Sequence, residues 1–163
     1  MLKNLFNKKI KIQKETIFSP LDGEVLPLEN VPDPVFSQKM MGEGVAIIPK
    51  SGKVVSPVNG KIISIFPTKH AIGIRSEKGL ELLIHIGLET VDLNGEPFEL
   101  LAKEHKIVKI GEPLLNVDLQ LLENCNKEII TPLIITNKEI IKEIEYPNYG
   151  EIHFGEVILT CKI

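Results

Sequence analysis

The chain of 163 residues contains no tryptophan, only two tyrosines and six phenylalanines. Proteins that hold single-stranded nucleic acid stack its bases on aromatic side chains, so this composition argues against that role. A formal net charge of −3 provides no basic footprint for a phosphate backbone. There are two cysteines, Cys125 and Cys161, far apart and without Cys-x-x-Cys spacing. That pattern writes neither a disulfide framework nor a zinc knuckle, and it suits a reducing cytoplasm. No run approaches the roughly 18–20 apolar residues that a membrane-spanning helix needs.

The N-terminus, MLKNLFNKKIKIQK, is basic and has Leu2, Leu5 and Phe6 at helical spacing. Its apolar stretch is too short for a signal peptide. It reads as a flexible basic tail over residues 1–15, with weak membrane-surface contact as the alternative. Residues 16–163 read as one domain, because hydrophobic residues at 43% suffice for a core and no long linker divides the chain.

What the chain does contain is closely spaced Gly and Pro between short runs of Val, Ile and Leu. Runs of that length predict strands, and the fold class is all-β, an antiparallel β-sandwich with little helix. One short helix is expected over 119–127, with Asp118 as its N-cap. FSPLDGEVL at 18–26 echoes VSPVNGKII at 55–63, which implies pseudo-symmetry within the sandwich. The Asp-Gly and Asn-Gly pairs in these segments read as hairpin turns, where glycine takes a positive φ.

Four histidines are present, and two of them fall on one predicted hairpin. In PTKHAIGIRSEKGLELLIHIGLE, a two-residue loop at Glu77–Lys78 places His70 opposite His85. A one-residue bulge at Gly79 makes the pairing diagonal. Two imidazoles without a third ligand form a poor structural zinc site. They form a better nucleophile and helper. A neutral ring has a free lone pair, and a second ring can bond a developing oxyanion. Thr68 is placed to orient that helper. The plainer alternative is a core His85 bonded to backbone, with His70 in a surface loop. His105 and His153 have no companion motif.

GLELLIHIGLETV at 79–91 closely resembles the phosphohistidine signature of the glucose-type IIA components of the bacterial sugar phosphotransferase system. SPLDGEVLPLENVPDPVFSQKMMGEGVAI, SPVNGKI, PTKHAIGI and LLNVDLQLLE extend the likeness over residues 16–163. The resemblance implies an antiparallel sandwich of the duplicated hybrid motif type, with both histidines in a shallow depression. It implies that His85 is phosphorylated on Nε2 by phospho-HPr, and that His70 helps pass the group to a IIB domain of a sugar permease. Thr68 matches the hydroxyl that supports His70. Asp33 and Glu89 match acidic rim positions. Val35, Phe36, Met40, Met41, Phe66, Leu83 and Ile86 match an apolar docking surface. Glu89 stands where a familiar member carries Asp, Pro34 stiffens the Asp33 loop, and the two methionines soften the patch.

The implied protein is a monomeric cytoplasmic phosphocarrier whose acceptor is another polypeptide. It requires no cofactor, and the resemblance leaves room for a zinc bridging His70 and His85 in a partner complex. A second class is a regulator that binds targets according to its phosphorylation. A zinc hydrolase of the LytM type is disfavoured, since no His-x-His pair occurs. A lipoyl or biotin carrier is disfavoured because no Lys sits at a central hairpin tip in the usual context.

Overall fold

The computed structural model describes residues 11–163. Leu2, Leu5, Phe6 and most of the expected tail therefore lie outside the described residues. Among the described residues, fourteen strands, two short α-helices and three short 3-10 helices make up the regular structure. In chain order the first strands are β1 (Lys14–Phe18), β2 (Gly23–Pro27), β3 (Glu43–Pro49), β4 (Lys53–Val55) and β5 (Gly60–Ile65). Then come β6 (Ala71–Ser76), β7 (Glu81–His85), β8 (Phe98–Leu100), β9 (Ile107–Val108) and β10 (Pro113–Val117). The last are β11 (Thr131–Ile135), β12 (Glu143–Glu145), β13 (Gly150–Ile152) and β14 (Val157–Lys162). Helix α1 is Pro34–Ser37 and α2 is Leu119–Asn124. Among the described residues no helix is long and apolar enough to cross a membrane.

All pairings are antiparallel. Eight strands form one large sheet, in the order β13-β2-β3-β11-β7-β6-β5-β9. Two three-stranded sheets, β1-β14-β12 and β4-β10-β8, complete the sandwich. Alternation along each strand sorts side chains to two faces. On β7, Leu82 and Ile84 join the main core, as does Ile86 just beyond it. Leu83 points the other way, into a smaller cluster with Phe36, Ala46, Ala71, Leu88 and Ile134. His85 shares the parity of Leu83, so it belongs to the outer face rather than to the main core.

The two echoed segments fold alike. Ser19 Oγ donates to Leu21 O, and Ser56 Oγ donates to Val58 O, both at 2.8 Å. The expected hairpin turns at Asp-Gly and Asn-Gly do not occur, because Gly23 and Gly60 begin strands β2 and β5. Glycine is needed there for close approach: a Cβ would lie 2.1 Å from Ile48 O in one case and from Arg75 O in the other. The expected tail boundary also moves. β1 starts at Lys14, and Glu15 is buried and opposite Cys161, since Ile17 draws the strand into the core. Asp118 caps α2 by accepting from Leu121 N at 3.0 Å, as the sequence predicts. Both cysteines are free, with Cys161 buried.

Candidate functional site

β6 and β7 bring the two histidines together, not in the direct pairing of a two-residue loop but in the diagonal one expected of an extra residue at Gly79, which takes φ +99°. Ser76 N donates to Leu80 O, so the loop is 77–79 and His85 lies opposite Ala71. A simple strand would then send His70 to the opposite face. It does not, because β6 starts at Ala71 and Lys69 takes a left-handed conformation, φ 61°. That turn keeps the rings adjacent, with centroids 5.0 Å apart and planes at 77°. The ladder closes through Ile86 N, which donates to His70 O at 2.7 Å.

Each imidazole has one nitrogen engaged. His85 Nδ1 lies 2.8 Å from Gly87 O. A carbonyl oxygen only accepts, so Nδ1 carries the proton and Nε2 keeps its lone pair in the neutral ring. His70 Nδ1 lies 2.6 Å from Thr68 Oγ1. His70 is 5% exposed and His85 half-buried. Burial holds both rings below the ordinary imidazole pKa. For His70 the neighbouring His85 adds to the effect, whereas for His85 the Gly87 bond and the Asp33 charge oppose it. Two adjacent, neutral imidazoles result at neutral pH.

Aromatic rings flank the pair. Phe36 stands 5.0 Å from His85 and Phe66 stands 5.3 Å from His70, edge-on. Phe36 is delivered by α1, which starts at Pro34 and is capped by Asp33 Oδ1 accepting from Val35 N at 2.9 Å. The expected apolar surface separates into three kinds of residue. Val35, Met40 and Phe66 are exposed, whereas Met41 is half-buried. Phe36 and Leu83 are buried under the outer face and serve as its support. Ile86 is a correction: at 1% exposure it lies in the main core, since a residue next to His85 on a strand points the opposite way. It offers a partner no surface.

Asp33 and Glu89 line one cleft of about 310 Å³ together with Leu88, Asn126, Lys127 and Glu128. Sequence reasoning missed the last three, which come from the loop after α2, about forty residues from the histidine signature. It also gave no role to Thr90, whose hydroxyl donates to Ile86 O at 2.7 Å. His105 and His153 are exposed and remote in role. Among the described residues no group of three or more His, Cys, Asp or Glu side chains is gathered for a metal ion.

An antiparallel sandwich with two neutral imidazoles beside exposed apolar side chains defines a protein built for group transfer at a sheet face. Residues 15–141 match the family model of the phosphoenolpyruvate-dependent sugar phosphotransferase system, EIIA 1. The chain is similar to the PTS system glucose-specific EIIA component of Staphylococcus epidermidis, 48% identical over 157 residues, covering 96% of this chain and 95% of the relative. The corresponding component of Staphylococcus aureus strain Mu50 is 47% identical over the same coverage. Among solved structures it resembles glucose permease IIA from Mycoplasma capricolum. The TM-score is 0.86 at 39% identity, covering 91% of this chain and 96% of that one. The chain belongs to the EIIA 1 family of the phosphotransferase system. It is a phosphotransferase component, a phosphocarrier in the relay that drives sugar uptake.

Proposed function

We propose that His85 accepts a phosphoryl group on Nε2 from phospho-HPr and passes it to the IIB domain of a glucose-type permease. The observation that carries this reading is the Gly87 carbonyl on Nδ1, which leaves Nε2 as the nucleophilic nitrogen. The relatives named glucose-specific support the sugar class. In the transfer the Nε2–P bond forms as the donor's N–P bond breaks, and the donor imidazole leaves with the bonding pair. Geometry and electrostatics carry most of such a step.

His70 acts as the helper. With the Thr68 hydroxyl donating to Nδ1, its Nε2 keeps a proton and gives a hydrogen bond to a phosphoryl oxygen. Asp33 and Glu89 form an acidic rim that steers a basic donor surface. Val35, Met40 and Phe66 make apolar contact with the partner, over a base of Phe36, Met41 and Leu83. The IIA domain acts as a monomer in the cytoplasm and uses no cofactor. Among the described residues no third metal-ligating side chain is grouped with the histidine pair, and zinc finds no support in this chain.

The test is phosphoryl transfer in a mixture of the chain, phosphoenolpyruvate, Enzyme I and HPr, read by intact mass. Wild type and His70→Gln gain one acid-labile phosphoryl group and His85→Gln gains none. An added IIB domain discharges wild type much faster than His70→Gln. Unmodified wild type beside an active donor system refutes the proposal.

A further inference from the structure

The segment after β7 turns sharply and returns to the outer face with Ile86, Gly87, Leu88 and Thr90 buried and Glu89 exposed. Thr90 is fully buried. Its hydroxyl donates to Ile86 O at 2.7 Å, which fixes the peptide plane joining Ile86 to Gly87. The next plane is held by Leu88 N, which donates to Glu128 O at 3.1 Å. The carbonyl of that second plane is Gly87 O, the acceptor for His85 Nδ1. Between the two planes Gly87 takes φ +70°, and a Cβ there would stand 2.7 Å from Thr90 Cγ2. Thr90 thus bonds the turn through its hydroxyl, and its methyl occupies the space that a side chain at residue 87 would need. Glu89, itself left-handed at φ 55°, turns the chain so that Thr90 lies back over Ile86.

We infer that Thr90 is a positioning residue for His85: its bond to Ile86 O holds the turn that presents the Gly87 carbonyl to Nδ1. The inference rests on the reading of His85 as the acceptor at Nε2. Thr90 touches no reacting atom. Its effect passes through two peptide planes to the tautomer of one ring, where the hydrogen bond on one nitrogen decides the state of the other. A hydroxyl bonded four residues back is also a common local backbone contact. The test therefore reads the ring itself.

Ring-nitrogen chemical shifts of His85 are measured by NMR on the full chain, beside single-turnover phosphoryl uptake from phospho-HPr. Thr90→Val keeps the shape and removes the hydroxyl, while Thr90→Ser keeps the hydroxyl. Wild type and Thr90→Ser show one tautomer, protonated at Nδ1. Thr90→Val shows a mixture, and its uptake rate falls about tenfold, the weight of one buried hydrogen bond, with the KM for the donor unchanged. A single unchanged tautomer in Thr90→Val overturns the inference, as does a mixture of equal size in Thr90→Ser. If Thr90→Val does not fold, Thr90→Ser and Thr90→Ala supply the same contrast. A Thr90-dependent tautomer in a wild type that takes no phosphoryl group supports the inference and refutes the acceptor reading.

Discussion

Replacing Gly87 by alanine tests how the site is held. The residue sits at φ +70°, where a Cβ costs a non-glycine residue about 1 kcal/mol. The new methyl also meets Glu128 O and Thr90 Cγ2, each at 2.7 Å. Neither can move freely, since Glu128 O accepts from Leu88 N and Thr90 is fully buried. Overpacking of this kind costs ~1–3 kcal/mol. The sum is about 3 kcal/mol, or roughly 6–12 °C in Tm for a domain of this size. Gly79→Ala is the control, with φ +99° and nothing within 4 Å of its Cβ. It should pay only the backbone cost, about 1 kcal/mol, or roughly 2–4 °C. Thermal and urea unfolding followed by circular dichroism measure both. If Gly87→Ala is no less stable than Gly79→Ala, the turn is not packed as described and the account of His85 positioning fails with it.

Three further outcomes are expected. Because burial lowers both histidine pKa values, phosphoryl uptake stays level through neutral pH and declines only below the ordinary imidazole value of about 6.5. The same depression adds stability that is complete above that value and is lost as pH falls through the folded-state pKa values. A rate already halved at the ordinary value speaks against neutral, buried rings. Thr68→Val removes the hydroxyl from His70 Nδ1, so discharge to a IIB domain slows about tenfold while uptake from HPr stays within about twofold, read by quenched-flow mass analysis. Ile86→Ala costs ~2–5 kcal/mol by urea unfolding, whereas Met40→Ser, at a residue 69% exposed, stays within about 0.5 kcal/mol. The reverse order would put Ile86 back on the surface.

Strand content, the sandwich class and the Asp118 cap are legible in the sequence because each depends on local periodicity and turn chemistry. The same holds for the histidine signature, whose thirteen consecutive residues carry the family by themselves. Register was legible only as a choice. Spacing left two pairings open, His70 directly opposite His85 or diagonal to it through a bulge at Gly79, and the ladder takes the second, with Ala71 opposite His85. The rings still meet because Lys69 turns the chain in a left-handed conformation, which a count of residues does not reveal. A one-residue slip reverses every side chain on a strand. That is also why Ile86, adjacent to His85 and apolar like a docking residue, belongs to the core. The glycines after Asp22 and Asn59 look like turn residues, but the need for them comes from carbonyls of neighbouring strands.

The sequence by itself thus determined what the protein is: its strands, its family and the histidine signature, all written in contiguous residues. The tertiary structure alone decided how those histidines are prepared. The tautomer of His85 depends on a carbonyl two residues on, held by Thr90 and by Glu128 from a distant loop. Burial beneath Phe36, Phe66 and their neighbours holds both rings below the ordinary imidazole pKa. Hydrogen bonds and desolvation act through space, and their partners come from parts of the chain that the linear order keeps apart.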